Sequence, residues 1–187
     1  MRSACRLAAC SCCALFLIAG LAAAQLDPGF MPRGGKSILL DLLAAGPAGL
    51  GLIKDSASSK TEADWKQTVA MLAAGLSDKE QQTLAIYLSV NAPLDAAAIA
   101  KAAQPDRVAA LLPMDGRELA WEYCQSCHSL FSGYLTQERD APAWLNTFAS
   151  PFHREIKMTQ KQREEFARYS AINMPMTFED VPEELRF

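Results

Sequence analysis

The chain is poor in the residues that most catalytic and nucleic-acid-binding proteins need. Aromatic residues make up only 8% of the 187 positions, and β-branched residues are sparse beside Ala and Leu. Helices are therefore expected, and a β-sandwich or barrel is not. The formal net charge is −3 and the pI is near 5.4, so there is no basic footprint for a nucleic-acid partner. There are only two histidines. No Ser/His/Asp set and no Gly-rich phosphate loop can be assembled, so no catalytic residues are assigned. Apolar content, in contrast, is ample. Half of the residues are hydrophobic, which argues against disorder and suffices for one or two small domains with real cores.

Residues 1–24 read MRSACRLAACSCCALFLIAGLAAA. Arg2 and Arg6 give a basic start, an apolar run extends from about Ala8 to Leu21, and Ala22 and Ala24 form an A-x-A site before Gln25. This three-part pattern predicts a cleaved secretory signal peptide and a periplasmic or secreted product. The rival is an uncleaved N-terminal anchor, but a comfortable span needs about 20 apolar residues. The Leu7-Ala8-Ala9-Cys10 box precedes the apolar run instead of ending it, so it does not read as a lipoprotein site. Cleavage removes Cys5, Cys10, Cys12 and Cys13 and takes the net charge from −3 to −5 as Arg2 and Arg6 are lost. No transmembrane span and no disulfide framework are then expected.

The two remaining cysteines lie in Cys124-Gln125-Ser126-Cys127-His128. C-x-x-C-H is the attachment signature for c-type haem. Residues i and i+3 share a helix face, so both sulfurs can reach one porphyrin edge, and the adjacent imidazole can bind iron from the proximal side. Three rivals are weaker. A thioredoxin-like redox pair needs a strand and a βαβ context, whereas Asp115 to Tyr123 reads as a helix, with Asp115 as N-cap and Glu118 completing the box. A structural zinc site needs four ligands and would consume every remaining Cys and His. A Cys124–Cys127 disulfide would leave His128 without a role.

On these residues the sequence resembles the c-type cytochromes, in particular small class I monohaem domains. The likeness extends to a C-terminal helix bearing an aromatic, Thr159 through Tyr169, and covers residues 113–187. It implies an all-α domain packed around one covalent haem c. The implied activity is one-electron transfer, with a dehydrogenase subunit or a terminal acceptor as redox partner.

A faded repeat precedes that domain. Ser77 through Leu94 aligns with Thr159 through Met176 at an offset of 82, with Lys79/Lys161, Ala85/Ala167, Tyr87/Tyr169, Asn91/Asn173 and Pro93/Pro175 identical. Both segments open with a Ser or Thr cap and end in Asn-x-Pro. Trp65-x-x-Thr68 likewise matches Trp144-x-x-Thr147. Counting back from the tryptophans sets the haem motif opposite Ala45 through Gly49, which offers neither thiol nor imidazole. The first copy therefore resembles a cytochrome-like domain that no longer binds haem, and Met71, which would otherwise be a distal ligand, is expected in its core. The predicted organisation is a signal peptide over 1–24, a degenerate cytochrome-like domain over 25–112, and a monohaem domain over 113–187.

A six-coordinate haem needs a distal ligand as well. His153 ranks first. The offset of 82 places it on Met71, and each lies six residues before its helix cap. Met158 ranks second, since it abuts the cap at Thr159. Met174 and Met176 rank third. Their Met-Pro pair resembles a cytochrome methionine loop but follows the last helix, and both suit the pocket lining better.

Helices are predicted from about 37 to 45, from Thr61 to about Ala74, from Ser77 to about Val90, and from Asp95 to Pro105. Val181, Leu185 and Phe187 are expected to wrap back onto the core. At about 75 residues the haem domain is marginal without its cofactor, and the N-terminal domain is expected to pack against it near the exposed haem edge. Two other functions stay open. One is a haem enzyme or gas-binding sensor with an open distal position; the other is a non-haem interaction module held by a Cys124–Cys127 disulfide.

Overall fold

A computed structural model describes residues 28–125, 127 and 129–186. The segment expected to be a signal peptide, His128 and Phe187 lie outside these residues. Among the described residues every regular element is helical and no strand forms, so the fold is all-α. No helix among them is long and apolar enough to cross a membrane.

Most helices begin where a side chain satisfies exposed N–H groups, but the first two have no such cap. Helix α1 spans Gly35–Ala45 and α2 spans Pro47–Asp55. Helix α3 spans Glu62–Leu72, with Thr61 accepting from the Asp64 amide. Helices α4 (Asp78–Asn91), α7 (Gly116–Cys124) and α9 (Gln160–Asn173) each open on a full capping box, formed by Ser77/Glu80, Asp115/Glu118 and Thr159/Gln162. Helix α8 spans Ala141–Asn146, capped by Asp140. The Ala-rich stretch departs from expectation. Helix α5 covers only Ala96–Ala100, and Pro105 opens α6 (Pro105–Val108) instead of closing a helix. Proline costs nothing at a first helical position, where its missing N–H would have no partner.

Two cores form. The first contains Ile38, Leu39, Leu52, Trp65, Leu84 and Leu88; the second contains Leu119, Tyr134, Trp144, Phe166 and Val181. One segment crosses over. Met31 is buried in the second core, and Phe30 packs edge-on against Trp121 at 6.1 Å.

The halves repeat each other in space. Helices α1, α3 and α4 answer to α7, α8 and α9, and the contacts between halves are reciprocal. Tyr87 donates its hydroxyl to the Pro113 carbonyl at 2.9 Å, while Tyr169 donates to the Pro32 carbonyl at 2.5 Å. Asn91 Nδ2 donates to Glu165 Oε2 at 3.4 Å, while Asn173 Nδ2 donates to Thr83 Oγ1 at 3.1 Å. This is the self-complementary pattern of a two-fold interface, realised inside one chain.

Two glycines let the tyrosines pack. A Cβ on Gly35 would collide with Tyr87 Cβ, and a Cβ on Gly116 would collide with Tyr169 Cβ. Because these glycines are equivalent, the helix register is 81. That moves the haem motif opposite Leu43 through Pro47, two residues earlier than the tryptophan alignment implies. The first half still offers no thiol or imidazole there. The next segment of each half differs as well: α2 buries Leu52 and Ile53 in the first core, whereas the second half has a short π turn over Phe131–Leu135.

Met71 is not core; 69% of it is exposed. Helix α3 buries Trp65, Thr68 and Val69, and Met71 lies two residues past Val69, on the opposite side of the helix. The N-terminal half packs against the second through α4, α9 and the starts of α1 and α7.

Glu165 is fully buried in that interface. Its Oε1 accepts from the Gly116 amide at 3.2 Å. Burial, reinforced by the Asp115 charge, pushes its carboxyl from 4.5 up to about 8. A carboxyl that stays protonated in the fold but ionises in the unfolded chain favours folding at low pH. That contribution is fully present below about 4.5 and is lost as pH rises through about 8. Glu165→Gln is therefore expected to gain stability relative to the parent progressively across this window, read as denaturant midpoints at a series of pH values. Gly116→Ala is expected to lower stability by about 1–3 kcal/mol through overpacking against Tyr169, measured by urea unfolding.

Candidate functional site

Helix α7 is anchored at its start. The Ser37 amide donates to Asp115 Oδ2 at 3.2 Å, and Lys36 pairs with Glu118 at 2.9 Å. The helix runs from that anchor to Cys124, its last residue. Cys127 comes one turn later and is exposed, while Cys124 is half-buried. No disulfide joins them. Burial, and secondarily the neighbouring Cys127, pushes the Cys124 thiol up to about 12. Without a bound partner, Cys124 is thus a protonated thiol at an apolar wall.

That wall belongs to a cavity of about 610 Å³. Cys124 and Cys127 line it together with Tyr123, Tyr134, Trp144, Phe148 and Phe166, and Arg139, Phe152, His153 and Ile156 complete it. The aromatic rings form one packed group: Tyr134 stacks on Phe166 at 5.4 Å and meets Trp144 edge-on at 5.2 Å, and Phe148 meets Phe166 at 5.6 Å. Tyr134 is anchored through Ser170. That serine donates to the Phe166 carbonyl at 2.6 Å and so accepts from the Tyr134 hydroxyl at 2.9 Å. Arg139 lies over the Trp144 ring at 5.0 Å. Among the described residues, all those that line the cavity belong to the C-terminal half.

His153 lines the same cavity as the two cysteines. Its Nδ1 lies 2.8 Å from Ser150 Oγ. It also borders a smaller, open pocket of about 270 Å³ with Arg139, Asn146 and Ser150. The methionines sit elsewhere. Met158 and Met174 are buried in the second core and Met176 packs against it; none of the three lines the cavity. Among the described residues, no group of three or more His, Cys, Asp or Glu is placed to hold a metal ion.

A haem-sized guest fits this space on two observations. The volume falls within the roughly 300–1,000 Å³ of cofactor sites, and the walls are mainly aromatic and apolar. Both cysteines, three residues apart, line it. Trp144 Nε1 is a buried donor without a partner, which an acceptor on the guest would meet. Trp65 Nε1 in the first half lacks a partner too, so this orphan belongs to the repeated tryptophan and does not by itself mark a site.

Sequence reading missed Arg139, Phe148, Ser150 and Arg163. Arg163 donates through Nη2 to the carbonyls of Arg154 and Ile156, each at 3.0 Å, with its guanidinium 4.9 Å from the Phe148 ring centre. It thereby holds the loop that carries His153. The one local signal was the Ser-x-x-His spacing, which suits a side-chain turn. No protein-family model, no curated protein and no solved structure matches the chain.

In protein made without haem attachment, alkylation near pH 8 is expected to reach exposed Cys127 well before Cys124, whose thiol stays protonated. Peptide mapping over a time course measures the order.

Proposed function

We propose that the chain is an exported c-type cytochrome that carries single electrons between a redox enzyme, such as a dehydrogenase, and a respiratory acceptor. The observation that supports this best is the coincidence of the Cys124-x-x-Cys127-His128 sequence with an aromatic-walled cavity that His153 also lines. Cys124 and Cys127 would hold the haem through thioether links, with His128 as proximal and His153 as distal ligand. When bound, haem supplies a ferric/ferrous couple. The chain's own residues do the rest. Tyr134, Trp144, Phe148 and Phe166 exclude water and keep the surroundings apolar. Helix α7, tied to the N-terminal half at Asp115 and Glu118, sets where the sulfurs stand. Arg163 holds the loop that brings His153 to the cavity. Two imidazole ligands give a lower potential than an imidazole and a thioether, because thioether sulfur favours ferrous iron. The protein is therefore expected to work at the low-potential side of this class.

The test is export of the full chain together with a haem-attachment system. Intact mass is expected to show one added haem, and the pyridine haemochrome spectrum two thioether links; both sulfurs unmodified would overturn the proposal. In the holoprotein, the far-red charge-transfer band of methionine-ligated ferric haem is expected to be absent. Its presence, surviving His153→Ala, would remove His153 as ligand.

A further inference from the structure

The loop between α8 and α9 is held at two points. The Arg154 amide donates to the Ser150 carbonyl at 3.0 Å, closing a turn around His153. Arg163 then clamps the carbonyls of Arg154 and Ile156. These contacts place the backbone but do not choose the ring orientation. Ser150 meets the ring itself: its Oγ lies 2.8 Å from His153 Nδ1 and also accepts from the His153 amide at 3.4 Å.

We propose that Ser150 is a positioning residue for His153. Its hydroxyl oxygen accepts the Nδ1 proton and so commits the imidazole to the tautomer whose Nε2 lone pair is available to iron. A neutral imidazole carries one donor and one acceptor nitrogen. The partner of one nitrogen therefore decides the chemistry of the other. If Ser150 donated to Nδ1 instead, Nε2 would bear the proton and could not ligate. The hydrogen bond at Nδ1 also fixes the ring plane. This inference rests on the haem reading given above.

The experiment compares the holoprotein with Ser150→Ala, Ser150→Thr and His153→Ala, each checked for one attached haem by mass and for helix content by circular dichroism. The reading is carbon monoxide affinity of the reduced protein, which rises as the distal ligand is weakened. Ser150→Ala is expected to raise it about 10–100-fold toward the His153→Ala value. Ser150→Thr, which keeps the hydroxyl, is expected to restore parental behaviour. If His153→Ala raises the affinity while Ser150→Ala leaves it unchanged, Ser150 does not position the ligand and the inference fails. If neither variant moves it, His153 is not the ligand and the inference fails with it. A chain that gains no haem overturns the cytochrome reading and this inference together, and mass alone identifies that case.

Discussion

The crossing of α4 and α9 is the constraint on which the rest of the molecule depends. Each helix presents a tyrosine whose ring packs on a glycine of its own half and whose hydroxyl reaches a proline carbonyl of the other. The buried Asn91 and Asn173 repeat this reciprocity, each bonding its own helix and the opposite one. Arg168 extends it with an ion pair to Glu62 across the halves. Removing either asparagine leaves a polar group buried without a partner, which costs more than the bond itself contributes. The interface therefore specifies one docking of the two halves.

That docking reaches the cavity through two rods. Helix α9 carries Asn173 and Glu165 into the interface and, on another face, Phe166 into the aromatic cluster. Helix α7 starts at the interface and ends at Cys124. The described residues that line the cavity thus all belong to the C-terminal half, yet its geometry is set by elements gripped from the N-terminal half. A half without thiols or imidazole in the matching register still has work to do, as the abutment against which the other is braced.

Much of this was legible in the sequence. Capping side chains are local chemistry, so the starts of α3, α4, α7 and α9 could be read to the residue. The repeat was visible because Tyr, Asn and Pro stand at matched positions, and the structure supplies the reason: they form the interface. Cys124, Cys127 and His153, some 25 residues apart in the chain, line one cavity, which no local pattern announces. Helix α2 was not legible. Its Pro-Ala-Gly-Leu-Gly opening has poor intrinsic propensity, and it forms because Leu52 and Ile53 are buried by neighbours distant in sequence. Met71 was misplaced for a related reason. Its equivalence to His153 is positional, whereas exposure is decided by which face of α3 the first core uses. Ser150 and Arg163 act through the backbone of an irregular loop, which leaves no periodic trace.

The mirrored tyrosine–proline contacts carry a historical reading. A surface that complements itself is what a homodimer needs, so the present molecule has the layout of a dimer whose subunits were joined into one gene product. In a symmetric pair every substitution strikes both subunits at once. Fusion removes that coupling: away from the seam either half can differ from the other, as helix α2 of the first half and the π turn of the second do, while the seam itself still binds both.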